Sequence, residues 1–90
     1  MIRYNILVEG RVQGVGFRYF AQTTGNSYGL TGYAKNLENG MVELEVQGSK
    51  ERIDLFINTI QKGNHFITVT NLYKKELPVN ENERAFRILN

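Results

Sequence analysis

The chain contains no cysteine, one histidine (His65) and one aspartate (Asp54). Without thiols it has no disulfides, no thiol chemistry and no thiolate zinc site. A lone histidine after Gly63, a lone aspartate, and Glu43 and Glu45 side by side on one strand face make no metal constellation. Neither a metal nor a cofactor is therefore expected. Long apolar runs are also missing. Nothing reaches the ~20 residues of a membrane-spanning helix, and the opening "MIRYNILVEG" lacks the apolar core of a signal peptide. A cytoplasmic monomer with no membrane partner is the expectation.

One absence is regional. All nine acidic residues lie outside Gly10–Leu37, a window that holds Arg11, Arg18 and Lys35. A solvated surface normally mixes the two signs. A stretch kept free of carboxylates is what a bound anion would require, although the net charge of +2 is too small to argue for nucleic acid.

What is present fits one small domain over residues 1–90. A chain this short buries about two-thirds of its unfolded surface, so most of the 41% of hydrophobic residues must serve the core. Residues 2–9 alternate, with Ile2, Tyr4, Ile6 and Val8 on one face, and read as a strand. From Phe17 the period changes: Phe17, Phe20, Ala21, Thr24 and Tyr28 fall at helical spacing, and Gly29 helps to end the helix. Gly25 inside it costs about 1 kcal/mol relative to alanine and has no evident reason in the sequence. "LTGYAKN" reads as a second strand and "MVELEVQ" as a third, joined by a two-residue turn at Asn39-Gly40. Ser49 can cap a second helix whose apolar face is Ile53, Phe56, Ile57 and Ile60, with Gly63 ending it. "FITVTNLYKKEL" is a fourth strand whose alternation slips between Val69 and Leu72, the mark of a bulge. After the polar "NENE" a short last strand points Phe86 and Ile88 inward. The order β-α-β-β-α-β, with room for a small extra strand, predicts an α+β ferredoxin-like sandwich: an antiparallel sheet with two helices on one face.

Between the first strand and first helix runs "GRVQGVGFRYF", Gly10–Phe20. A helix start leaves backbone N–H groups unpaired, which Ser, Thr, Asp or Asn usually caps and which acids in the first turn usually complement. Here Gln13, Gly14, Val15 and Gly16 precede Phe17, and the first turn carries Arg18 instead. A glycine-lined, acid-free start with an arginine suits an anion, though a glycine-rich loop alone can be a simple tight turn. No lysine is present for a Walker A loop, and Tyr19 stands where the dinucleotide fingerprint needs glycine.

"GRVQGVGFR" resembles the signature of the acylphosphatase family, Gly-x-Val-Gln-Gly-Val-x-Phe-Arg, and "GYAKNLENG" at Gly32–Gly40 resembles its second block. The resemblance extends over essentially the whole chain. It implies hydrolysis of the carboxyl–phosphate bond of a small-molecule acyl phosphate, giving a carboxylate and inorganic phosphate. By motif position, the backbone N–H groups of Gln13, Gly14, Val15, Gly16, Phe17 and Arg18 would hold the phosphoryl oxygens. The Arg18 guanidinium would pair with the phosphate, and Asn36 would position the attacking water. Arg11 and Lys35 are not carried over as catalytic; they read as steering or solvated charges. On its own, Asn36 before a turn reads as turn chemistry. Ala34 stands where the family commonly has valine, Asn39 where aspartate often precedes glycine, and "AFRILN" lacks the usual basic or aromatic terminus.

Two other readings remain. An RNA-binding module of this architecture needs exposed aromatics on its central strands, but the third strand presents Glu43 and Glu45. A domain that binds phosphate or acyl phosphate without turnover would keep the same loop.

Overall fold

A computed structural model describes residues 1–90. The elements are β1 (Ile2–Arg11), α1 (Phe17–Ser27), β2 (Thr31–Asn36), β3 (Val42–Gly48), α2 (Lys50–Lys62), β4 (Thr68–Leu77) and β5 (Phe86–Leu89). They form a five-stranded sheet in the order β4-β1-β3-β2-β5. The expected strand alternation is realised: Tyr4, Ile6 and Val8 of β1 and Val42, Leu44 and Val46 of β3 are buried, together with Phe17 and Ala21 of α1 and Ile53, Phe56 and Ile60 of α2. Ser49 caps α2 by accepting from the Arg52 N–H at 3.3 Å. The slip in β4 is a bulge: Glu9 pairs with Asn71 but Gly10 with Val69, leaving Thr70 extra.

The sheet is mixed rather than wholly antiparallel, because β5 pairs parallel to β2. After β4 the chain crosses the end of the sheet, where Glu83 meets Arg3 and Asn80 meets Gln47. It then enters β5 beside the start of β2, with the Gly32 N–H donating to the Ala85 carbonyl at 3.1 Å.

The β2–β3 turn also departs from the two-residue form. The Leu37 N–H donates to the Met41 carbonyl at 2.9 Å and the Gly40 N–H to the Leu37 carbonyl at 3.3 Å. Of the residues between, only Gly40 has a positive φ, and the Asn39 side-chain oxygen accepts from the Met41 N–H at 3.0 Å. This is the three-residue hairpin loop with a glycine bulge, in which asparagine keeps an ordinary right-handed backbone.

Gly25 acquires its reason from β5. A Cβ there would lie 2.7 Å from Phe86 Cδ2, so the bare helix backbone makes room for that ring. Phe86 in turn packs against Phe56, with ring centroids 5.7 Å apart, and so joins β5 to both helices.

Candidate active site

The start of α1 carries no side-chain cap and no acid in its first turn. Its N-cap, Gly16, is left-handed, and Gly14 also has a positive φ of 73°. A Cβ added to either would meet nothing within 4 Å, so the demand for glycine here is one of backbone conformation rather than crowding. Alternating glycines of this kind turn successive N–H groups toward one side and make an anion-binding concavity. Among Gly14–Tyr19 no backbone N–H donates to another backbone group; the first that does is Phe20, to the Gly16 carbonyl at 3.0 Å.

Beside these free donors lies a cleft of about 200 Å³ lined by Val12, Gly14, Gly16, Phe17, Arg18, Tyr19, Asn36 and Ile88. Five of the seven residues singled out from the sequence thus come together: Gly14, Gly16, Phe17, Arg18 and Asn36. Phe17 fixes the wall by burying its ring in the core. Val15 is half-buried and packs against the core, and Gln13 turns its side chain toward the β2–β3 turn, so neither side chain lines the cleft. Arg11 and Lys35 are exposed and outside it.

Arg18 is half-buried and uses one N–H, donating from Nη1 to the Leu89 carbonyl at 3.0 Å. A guanidinium has five N–H donors, so most of the fork remains free. No carboxylate lines the cleft with it. The backbone of β5 therefore anchors Arg18. Asn36 ends β2 on the helix-covered side of the sheet, in register with Val42. Its Oδ1 is buried and has no hydrogen-bond partner, the one such side-chain atom in the protein. A buried acceptor without a donor costs about 1–3 kcal/mol, so this atom is suited to a water or ligand that donates to it. Nothing in the sequence marked Tyr19 as a wall of the cleft or Leu89 as an anchor, which depends on the parallel pairing of β5.

The donor set suits an oxyanion: fixed N–H groups and a guanidinium to accept negative charge, and one neutral acceptor. No group of three or more His, Cys, Asp or Glu side chains stands where it could hold a metal ion, and no helix is long and apolar enough to cross a membrane.

Comparison with known proteins identifies the family. The family model described as acylphosphatase matches residues 4–88. An acylphosphatase of Clostridium beijerinckii is 51% identical over 88 residues, covering 98% of each chain. That of Clostridium acetobutylicum is 46% identical over 89 residues, covering 99% of this chain and 98% of its own. The crystal structure of acylphosphatase from Bacillus subtilis superposes with a TM-score of 0.94 at 37% identity over the whole of both chains. The whole chain also matches 12% of HypF from T. kodakarensis, at 35% identity and a TM-score of 0.87. Matched by the family model and by these relatives over nearly its full length, the chain belongs to the acylphosphatase family.

Proposed function

We propose that this acylphosphatase seats the phosphoryl group of its acyl phosphate on the backbone N–H groups of Gln13–Arg18, pairs it with the Arg18 fork, and orients the attacking water through Asn36 Oδ1. The water oxygen bonds to phosphorus as the bond to the acyl oxygen breaks, giving a carboxylate and dihydrogen phosphate. Phosphoryl transfer asks chiefly for positioning and charge stabilisation, and one fixed donor contributes about 10²–10³ in rate. Arginine suits the task because its planar fork matches two phosphate oxygens and stays protonated. The leaving carboxylate has a pKa of about 4, so it departs without a general acid. A carboxylate base would repel the substrate, whereas asparagine accepts a hydrogen bond from water without adding charge.

The observation that carries this reading is the buried, unpartnered Asn36 Oδ1 in one cleft with Arg18 and the two left-handed glycines. The accompanying reading is of one domain over residues 1–90, a cytoplasmic monomer that takes a small molecule rather than nucleic acid. The family match over residues 4–88 and the acid-rich outer face of β3 support it. Benzoyl phosphate hydrolysis tests the mechanism. Wild type is expected to turn it over with EDTA present, with inorganic phosphate inhibiting competitively. Arg18→Ala and Asn36→Ala should each lose about 10²-fold or more in kcat/KM. Equal rates for wild type and Arg18→Ala would sink this assignment, and phosphate binding without hydrolysis would identify a non-catalytic binding domain instead.

A further inference from the structure

We propose that the Gln13 side chain is a positioning residue, a clamp that sets where Asn36 stands relative to the phosphate cradle. The inference rests on the catalytic reading of Asn36 above. Asn36 Oδ1 has no protein partner, so nothing at that atom holds the carboxamide in place. Its position must come from the backbone at the end of β2, whose last pair is Asn36 with Val42. Beyond that pair, Gln13 Nε2 donates to the Leu37 carbonyl at 2.8 Å and to the Met41 carbonyl at 2.9 Å. Both hydrogens of one amide nitrogen are used, one on each limb of the turn. Leu37 follows Asn36 directly, and Gln13 precedes Gly14 of the cradle. No other side-chain hydrogen bond joins the two segments.

The chemistry depends on that join. The cradle fixes phosphorus and Asn36 fixes the water, so the offset between them sets the line of attack. A misplacement of about 1 Å can cost about 100-fold in rate. The clamp also contributes little that the fold would miss. Without Gln13 the Leu37 carbonyl still accepts from the Gly40 N–H, and the Met41 carbonyl from the Leu37 N–H. Neither is left orphaned, so the effect of losing the clamp falls on alignment rather than on stability.

Gln13→Met keeps the length of the side chain and removes both donors. On benzoyl phosphate its kcat should fall about tenfold or more, while the inhibition constant of inorganic phosphate moves less than twofold and the melting temperature stays near wild type. Placed on Asn36→Ala, the same substitution should change kcat less than twofold, because the residue it aligns is gone. Hydrogen exchange at the Gly40 and Met41 amides should quicken in Gln13→Met. An unchanged kcat would overturn the proposal. So would an equal loss in both backgrounds, or a loss of phosphate binding matching the loss of kcat, either of which would make Gln13 a general prop of the loop. If Asn36→Ala alone matches wild type, the catalytic reading of Asn36 fails, whatever Gln13→Met does.

Discussion

Arg3, near the start of β1, and Arg18, in the first turn of α1, show two uses of one side chain. Arg3 is 4% exposed and fully committed. Its Nε donates to Glu45 at 2.9 Å, its Nη1 to Gln47 at 3.2 Å and Glu83 at 2.7 Å, and its Nη2 to Glu83 at 3.1 Å. The hydrogen bond to Glu83 leads the causes that raise its pKa, against the burial that opposes the charge. Arg18 touches a single backbone carbonyl and no acid. Around Arg3 the polar groups satisfy one another; beside Arg18 donors stand free and acids are absent.

The comparison can be broken from either side. The largest effect is expected at the open arginine: Arg18→Lys keeps the charge but loses the fork, and kcat/KM for benzoyl phosphate should fall about 100-fold with the melting temperature almost unmoved. Arg3→Ala should do the reverse. It strands Glu83, whose side chain is 6% exposed, so chemical denaturation should show a loss of about 3 kcal/mol. Activity per folded molecule should hold. A catalytic loss in Arg3→Ala without unfolding would erase the distinction.

Smaller effects sharpen it. Tyr19 is 68% exposed at the cleft mouth, and Tyr19→Glu would end the local absence of acids there. An added charge in this wet setting is worth about 1 kcal/mol, so phosphate should inhibit about fivefold less well, and the difference should shrink with salt. On the outer face, the Tyr33 hydroxyl lies 2.9 Å from both Glu43 and Glu45, its one hydrogen shared between them. Burial first, and then these acceptors, push its phenol well above the usual tyrosine range. A raised folded-state pKa gives stability that is complete below about pH 10 and lost as pH rises above it, where only the unfolded chain ionises. The melting temperature should therefore fall more steeply above pH 10 in wild type than in Tyr33→Phe.

Periodicity and end signals revealed the helices, the strands and the inward residues, because those depend on neighbours in the chain. The uncapped, glycine-lined start of α1 was legible for the same reason, since it is a local fact. The place of β5 was not, because a four-residue strand carries no mark of its parallel partner. The Leu89 anchor on Arg18 went unseen with it. Alternation put Arg3 on the outer face but could not tell that the loop carrying Glu83 would cover it. Asn39-Gly40 suits two hairpin geometries, and the choice rested on a side-chain acceptor for the Met41 N–H.

The contact between Gly25 and Phe86 reaches beyond one helix. Their closeness couples what the two positions can hold. A side chain at the first requires the Phe86 ring to shift or a smaller residue to replace it. Among related chains the two positions should drift as a pair, so that a β-strand ring and the bareness of a helix are gained and lost together.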